Sequence, residues 1–192
     1  MTDRAARAHS PAEVVRDDDD RGRAWFQELY RAQFTYVWNT LRRLGVARAD
    51  LDDLAHEVFV IVFRRRLDFE EGRPVKPWLF GIAYRVAAGE RRLARHGMEL
   101  AAGSTEIEAM PAAGVDTPEG EAIAAERREL VIRALAALDL DQRAVFVLHE
   151  IDGCSAPDIA ATLDVKLNTV YSRLRLGREK FTAAVRGLRG RA

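Results

Sequence analysis

Apolar residues recur every three to four positions over two long stretches of this chain, residues 24–96 and 121–192. That spacing is typical of amphipathic helices, in which one face is buried and the other is polar. Neither stretch shows the apolar–polar alternation of a half-buried strand. The pattern therefore predicts an all-α protein made of two small helical domains.

Two other stretches lack the helical period. Residues 1–23 are polar and contain four consecutive carboxylates, Asp17–Asp20, which predicts a disordered N-terminal tail. Residues 97–120 contain several glycines and prolines, and every charged residue among them is acidic. We expect this stretch to be a flexible acidic linker between the two domains.

The N-terminal domain is predicted to contain three helices. The first ends at Gly45, the second is capped by Asp50, and the third begins near Pro77, after a loop over residues 68–76. The second helix begins with acidic residues and ends with basic ones. This order complements the helix macrodipole, but an acidic face can also dock on a basic partner. The residues alone leave both explanations open.

The C-terminal domain contains the most specific pattern in the chain. Asp139 and Gln142 form a capping-box pattern before one helix, and Gly153 supplies a left-handed residue that can end it. Ser155 and Asp158 form a second capping-box pattern before a short helix. A tight turn and a longer helix follow, so we predict a helix-turn-helix.

The long last helix starts near Leu167, with Val170 and Leu174 facing the core. Its outer face collects short polar groups near the N-terminus and arginines further along: Asn168, Thr169, Tyr171, Ser172, Arg173, Arg175 and Arg178. A solvated amphipathic helix would explain such a face. However, from Lys166 onward the basic residues outnumber a single acidic residue, Glu179. The combination favours a helix that enters the major groove of DNA.

Several function classes lack support in the sequence. The formal net charge is zero, and the lone cysteine, Cys154, excludes an internal disulfide framework and suits a reducing compartment. His149 and Glu150 begin like a metalloprotease motif, but Gly153 stands where the second histidine is required. We therefore expect no catalysis, no metal and no cofactor. No apolar run is long enough to insert into a membrane, so we expect a cytoplasmic protein.

Three motifs in this order resemble those of bacterial RNA polymerase sigma factors of the extracytoplasmic-function group. They are Asp50–Arg65, Pro77–His96 and the helix-turn-helix. The resemblance implies a protein that binds core RNA polymerase, recognises promoter DNA and assists promoter melting. It also implies an anti-sigma factor as a regulatory partner.

The resemblance assigns residues to three surfaces. The surface that binds core polymerase comprises Asp52, Asp53, His56, Glu57 and Phe59. The surface for the minus-ten promoter element comprises Arg73, Lys76, Arg85, Arg91, Arg92 and Arg95. The surface for the minus-thirty-five element comprises Lys166, Asn168, Thr169, Tyr171, Ser172, Arg173, Arg175 and Arg178.

Two positions of the last helix depart from the family pattern. Lys166 stands where a serine N-cap is usual, which removes a cap that contributes about 1 kcal/mol. Gly177 replaces a more usual alanine, and a glycine inside a helix costs roughly 0.5–1 kcal/mol. We expect the helix to loosen or bend beyond this glycine.

The alternative function is a stand-alone helix-turn-helix regulator whose N-terminal helices dimerise or sense a ligand. Such a regulator does not need an acidic second helix followed by a basic third helix in a separate domain. This feature favours the sigma factor.

Overall fold

The computed structural model describes residues 11–70, 72–97 and 118–190, and these contain helices and turns but no strand. The helices are α1 (Pro11–Leu44), α2 (Leu51–Arg64), α3 (Val75–Gly97), α4 (Pro118–Leu135), α5 (Leu140–Phe146), α6 (Ala156–Leu163) and α7 (Leu167–Arg189). The all-α prediction is confirmed. In the described ranges, no helix has the length and apolar character needed to cross a membrane.

Helices α1, α2 and α3 pack side by side around an apolar core. Val37 and Leu41 of α1, Val58 of α2, and Leu79 and Phe80 of α3 are fully buried. The first helix ends as predicted, because Gly45 adopts a left-handed backbone with φ of 87°. This bundle is the scaffold that carries the acidic face of α2 and the basic residues of α3.

Helix α1 starts earlier than the sequence predicts. Residues 11–23, expected to be part of a disordered tail, are helical and continuous with the packed part of α1. The acidic run Asp17–Asp20 lies within this helix. Residues 1–10 of the predicted tail lie outside the described range.

The chain enters α2 through a short 3-10 turn, Arg48–Asp50. Asp50 therefore already has a helical backbone, with φ of −100° and ψ of −6°, and its carboxylate accepts no capping hydrogen bond. A side-chain cap requires an extended backbone at the N-cap residue. The predicted Asp50 cap is thus wrong, although the helix starts at the predicted place.

The capping residues of the helix-turn-helix behave as predicted. Asp139 Oδ1 accepts a 2.8 Å hydrogen bond from the backbone N–H of Gln142. Ser155 Oγ accepts one of 3.3 Å from the backbone N–H of Asp158. Gly153 has the expected positive φ, 71°. These local bonds fix the N-terminal ends of α5 and α6. Helix α7 then packs against both helices.

Gly177 does not loosen α7. The helix runs without a break to Arg189, and Gly177 is buried against α5. A methyl group at this position would stand 3.4 Å from Leu138 Cδ2 and 3.5 Å from the carbonyl oxygen of Gln142. A methyl group would thus fit at ordinary contact distances, and the expected bend is absent because tertiary contacts hold the helix.

The two helical units also pack against each other, and their buried apolar residues form one continuous core. The Tyr36 hydroxyl of α1 donates a 2.7 Å hydrogen bond to Asp152 Oδ2, just beyond α5. Helix α3 approaches α6 at Gly81, where a methyl group would stand only 3.1 Å from the carbonyl oxygen of Thr162. We call the contact between α1–α3 and α4–α7 the interdomain contact.

Candidate nucleic-acid and partner interface

The outer edge of α7 is polar and open in its first two turns. Asn168, Tyr171 and Ser172 are exposed, while Thr169 is half-buried. The hydroxyl of Ser172 donates to the Thr169 carbonyl oxygen at 3.0 Å. Lys166 has an extended backbone and makes no side-chain cap, as its side-chain chemistry predicts. The amides at this helix terminus are therefore not occupied by the N-cap side chain, and such amides suit contact with phosphate.

The three arginines predicted on this edge each bind a carboxylate. Arg173 binds Asp141 of α5. Arg175 binds Glu179 one turn further along α7, at 2.7 Å. These pairs orient the guanidinium groups. DNA phosphates or bases would have to compete with the carboxylates for the same donors.

Arg178 binds Glu150, and its Nε donates to Glu150 Oε1 at 2.8 Å. Glu150 lies on a π-helical turn, Val147–Ile151, that follows α5 and that a regular apolar period does not indicate. Burial raises the pKa of the Glu150 carboxyl, but the hydrogen bond and charge of Arg178, helped by His149, outweigh this effect. The net pKa is below its usual value.

Arg173 also takes part in a contact between the two helical units. The Tyr84 hydroxyl of α3 donates to Asp141 Oδ1 at 2.6 Å, and Asp141 Oδ2 accepts from Arg173 Nη2. Burial, followed by the hydrogen bond to Asp141, raises the pKa of Tyr84 to about 12. One carboxylate thus holds a residue from α3 and a residue from α7.

The acidic face of α2 is exposed. His56 and Glu57 follow Asp53 by three and four positions, and Val60 follows them by four and three, so the four residues form one stripe along the helix. Val60 was not predicted as a site residue, yet 48% of its surface is exposed. Val60 lies three positions after Glu57, and this helical spacing indicates from the sequence that the two residues share a face. An apolar residue beside two carboxylates suits a protein partner.

Asp52 and His56 are tied to their neighbours in the bundle. Asp52 Oδ1 accepts a 2.9 Å hydrogen bond from the indole N–H of Trp38. His56 Nδ1 lies 2.7 Å from the Asp52 carbonyl oxygen, and His56 Nε2 lies 3.2 Å from the Tyr30 hydroxyl. These bonds fix the start of α2 against α1, so both residues have a structural role in addition to their predicted one.

Phe59 does not lie on the predicted polymerase-binding surface. Only 2% of its surface is exposed, and its ring packs against Tyr30 and Phe34, with centroids 4.7 and 6.1 Å away. The apolar positions of α2 form a wide buried face that includes this residue. The assignment of Phe59 to direct contact is therefore wrong, since it supports the acidic stripe from within.

The residues predicted for the minus-ten element divide into two groups. Arg73, Lys76, Arg85 and Arg92 are exposed on α3 or on the loop before it. By contrast, Arg91 is half-buried and points towards the end of α1. The Arg95 side chain lies outside the part of the structure that is described.

Local contacts hold the exposed members of this group. Arg73 pairs with Glu70 at 2.7 Å. The Lys76 ammonium lies 5.4 Å from the centre of the Tyr36 ring. Arg85 Nη1 donates to the Gly81 carbonyl oxygen at 3.2 Å.

Aromatic rings support the loop before α3. Phe69 lies between Trp25 of α1 and Trp78 of α3, with ring centroids 5.9 and 5.2 Å away. All three rings are half-buried. Trp78 thus packs within this cluster, and the sequence did not reveal the role of Phe69 because its partners are distant in the chain.

The C-terminal unit combines a short helix, a tight turn and a longer helix with a polar outer edge. It is joined to a bundle with separate acidic and basic surfaces. These features define a DNA-binding protein of the helix-turn-helix class. Comparison with known proteins narrows this class. Residues 29–96 match the family profile described as Sigma-70 region 2, and residues 128–181 match that described as Sigma-70, region 4.

Two relatives are similar over most of the chain. RNA polymerase sigma factor CnrH of Cupriavidus metallidurans is 33% identical over 162 residues, covering 82% of this chain and 85% of the relative. RNA polymerase sigma factor NccH of Alcaligenes xylosoxydans xylosoxydans is 30% identical over 159 residues, covering 82% and 85%.

A solved structure shares the fold. It is the sigma factor RpoE in complex with the anti-sigma factor NepR from Bartonella quintana, with a TM-score of 0.64 and 20% identity. The match covers 84% of this chain and 96% of that one. The chain therefore belongs to the bacterial RNA polymerase sigma factors, in the extracytoplasmic-function group.

The predicted function is confirmed at this level. The chain is an alternative sigma factor that directs RNA polymerase to promoters for transcription initiation. Sigma factors generally act as DNA-binding initiation factors without catalysis of their own. The alternative of a stand-alone regulator does not account for the match to both sigma regions.

Proposed function

We propose that α7 binds the minus-thirty-five element with its first two turns in the major groove. The observation that carries this proposal is the open polar edge formed by Asn168, Tyr171 and Ser172, with Arg173 beside it. Short polar groups near the N-terminus of a recognition helix can reach base edges. Lys166, Thr169, Arg175 and Arg178 lie around this edge and serve as backbone contacts or supporting polar contacts.

The acidic stripe on α2 docks on core RNA polymerase in this proposal. Asp53 and Glu57 supply negative charge, and Val60 supplies an apolar contact on the same face. Asp52 and His56 hold the beginning of the stripe against α1. The arrangement suits a basic partner helix with an apolar residue at its centre.

The minus-ten element binds the exposed cations before and along α3, namely Arg73, Lys76, Arg85 and Arg92. Their phosphate contacts would hold DNA beside the aromatic cluster during promoter melting. The inward position of Arg91 suggests support of the fold. Arg95 stays a proposed contact because it follows Arg92 on the same basic helix.

The domain boundaries also belong to this proposal, with functional units at residues 24–96 and 121–192. The acidic linker, predicted for residues 97–120, lies outside the described residues over 98–117. We propose that its carboxylates enter a basic channel of the polymerase. Such a segment would contribute to initiation beyond the tethering of two DNA-binding units.

An anti-sigma factor is the proposed regulatory partner. The solved relatives include RpoE with the anti-sigma factor NepR, and CnrH with the cytosolic domain of CnrY. In this chain a cavity of about 910 Å³ opens along the interdomain contact, and Trp78, Arg85 and Asp158 are among the residues that line it. Its mixed apolar and charged walls suit a protein segment. We also propose that the protein acts in the cytoplasm, where soluble transcription factors of this family would meet RNA polymerase.

In-vitro transcription tests the proposed function. Core polymerase with the chain should initiate from a subset of a randomised promoter library, and the selected promoters should share two short elements. Asn168→Ala should change the preference in the upstream element alone. Selection of the same promoters by core enzyme without the chain, or an unchanged preference in the variant, would contradict the proposal.

A further inference from the structure

Two exposed apolar side chains lie one turn apart at the start of α7. Leu167 is 40% exposed and Tyr171 is 54% exposed, whereas Val170 and Leu174 of the same helix are buried. Residues four positions apart share a helix face, so the two side chains form one strip, which we call the apolar strip. Single exposed apolar residues are common on protein surfaces, so the position of the strip decides whether it has a role.

The apolar strip borders the polar edge that we propose to enter the major groove. Asn168 and Ser172 each follow a residue of the strip by one position, and both are exposed. A helix turns by about 100° per residue, so each polar residue lies beside one strip residue around the helix. The groove that takes up Asn168 and Ser172 therefore also receives the apolar strip.

The backbone holds the apolar strip in a defined place. Asp164 adopts a left-handed conformation with φ of 53° and ends α6. The Lys166 carbonyl oxygen then accepts hydrogen bonds from the backbone N–H groups of Thr169 and Val170, at 2.9 and 3.2 Å. The first turn of α7 is therefore formed by the chain itself. A preformed contact surface loses little conformational entropy when it binds.

The chemistry of the major groove limits what the apolar strip can contact. The base edges there present hydrogen-bonding groups, and thymine adds a C5 methyl group. The Leu167 side chain has neither a donor nor an acceptor. Against guanine it would remove water from N7 and O6 without replacing the lost hydrogen bonds. Against a thymine methyl group, the same side chain buries apolar surface instead.

We propose that the apolar strip reads thymine methyl groups in the minus-thirty-five element, with Leu167 and the Tyr171 ring each packed against one methyl group. This inference rests on the proposed function of α7 and adds Leu167 to its contacts. Four residues span about 6 Å along a helix, and one DNA base step spans about 3.4 Å. The two thymines should therefore lie within about two base steps of each other.

A basic residue further along the same face completes the arrangement. Arg178 follows Tyr171 by seven positions, or about two turns, and its Nε donates to Glu150 at 2.8 Å. This face of α7 therefore changes from apolar to basic along the helix. A phosphate contact at Arg178 would position the helix on the duplex, and the apolar strip would then distinguish the bases.

Deoxyuridine provides a direct test, since it differs from thymidine only by the missing methyl group. A promoter duplex selected by transcription from the randomised library is synthesised with each thymine of the upstream element replaced singly by deoxyuridine. Holoenzyme with the full chain should bind two of these duplexes about fourfold more weakly, the loss expected for one buried methyl group. The same replacement in the spacer between the two elements is the DNA control and should leave the affinity unchanged.

Substitutions in α7 assign each methyl group to a side chain. Leu167→Ala should lose one of the two deoxyuridine effects, and Tyr171→Ala should lose the other. Tyr171→Phe should retain both, because the ring and not the hydroxyl makes the contact. Ile123→Ala is the matched protein control, since Ile123 is an aliphatic residue of α4 with a similar exposure of 46%. This control should show the same two effects as the parent.

The outcomes distinguish this inference from the proposed function. Loss of one deoxyuridine effect in each alanine variant of α7, with both effects kept in Ile123→Ala, supports the apolar strip. An upstream element without thymine, or binding that no replacement weakens, overturns the inference. Deoxyuridine effects that persist unchanged in Leu167→Ala and Tyr171→Ala also overturn it. In these cases the proposed function stands if Asn168→Ala still changes the upstream preference, whereas an unchanged preference in Asn168→Ala overturns both.

Discussion

Tyr84 of α3 donates a 2.6 Å hydrogen bond to Asp141 of α5, and this is one of the bonds that connect the N-terminal bundle to the helix-turn-helix unit. The same carboxylate holds Arg173 of α7. Arg173, which is proposed to contact DNA, is therefore positioned by the Asp141 carboxylate, and the same carboxylate binds Tyr84 of the other unit. Separation of the two units would leave Arg173 and Asp141 together but would remove Tyr84 from the pair.

Tyr84→Phe removes this hydrogen bond and leaves the ring in place. We expect the free energy of unfolding to fall by about 0.5–1.5 kcal/mol. The effect depends on pH, because the folded pKa of Tyr84, about 12, is above the usual value of 10. The stabilisation by the Tyr84–Asp141 hydrogen bond is present below pH 10 and is lost as the pH rises towards 12.

Urea unfolding at pH 8 and at pH 11 measures both effects. The difference between parent and Tyr84→Phe should shrink at the higher pH. Tyr171→Phe is the matched control, since Tyr171 is 54% exposed and should change stability little at pH 8. Equal stability of Tyr84→Phe and the parent at pH 8 would show that the bond contributes nothing.

Leu174→Ala should lower the free energy of unfolding by about 2–5 kcal/mol, because Leu174 is buried between α7 and the rest of the C-terminal core. Leu176→Ala is a matched control two residues away on the exposed side, where we expect a change within about 0.5 kcal/mol. Chemical denaturation of both variants makes the comparison. Similar losses in the two variants would contradict the observed orientation of α7.

Gly177→Ala should stabilise the chain by about 0.5–1 kcal/mol, because a helical glycine is replaced and the added methyl group meets Leu138 at an ordinary contact distance of 3.4 Å. Gly187→Ala lies on the same helix with no atom within 4 Å and should gain a similar amount. Gly177→Leu should instead destabilise, because it pushes α5 from α7. Thermal unfolding of the three variants checks the order, and tolerance of Gly177→Leu would be inconsistent with close packing.

The arginines of α7 should differ in their effect on promoter binding. Arg173→Ala should reduce discrimination at one base pair of the upstream element by about 1–3 kcal/mol. Arg178→Ala should weaken binding to all sequences alike and reduce the salt slope by about 1. Holoenzyme binding to single-base promoter variants over a range of salt concentrations separates these effects. The proposed recognition helix fails if neither substitution alters affinity, base preference or salt slope.

Charge reversal of the α2 stripe, in the double variant Asp53→Lys and Glu57→Lys, should weaken binding to core polymerase while the fold remains intact. The loss should be largest at low salt and smaller at high salt, because exposed charges are screened. Fluorescence anisotropy with core enzyme measures the affinity. Glu126→Lys, an exposed carboxylate on α4, is the control and should bind like the parent. A double variant with parental affinity would exclude this docking face.

Local chemistry made much of the fold predictable. The capping residues Asp139 and Ser155 act on backbone groups three residues away, so the sequence contains both partners. Gly45 and Gly153 likewise end their helices through their own backbone conformation. The helical period also placed Val170 and Leu174 correctly in the core.

The errors arose where distant residues decide the outcome. Phe59 is buried because rings of α1 reach it, and Gly177 stays helical because α5 packs on it. The apolar pattern of α2 includes Phe59, so the helical period itself indicates that this residue is buried.

The absence of a side chain at Gly81 allows α3 to lie close to α6. Any side chain at this position meets the Thr162 carbonyl oxygen of α6, which would lie 3.1 Å from a methyl carbon. Because this contact is tight, we expect an added methyl group to move α3 and α6 apart by a few tenths of an ångström. The spacing between the two units is therefore set in part by one position that carries no side chain.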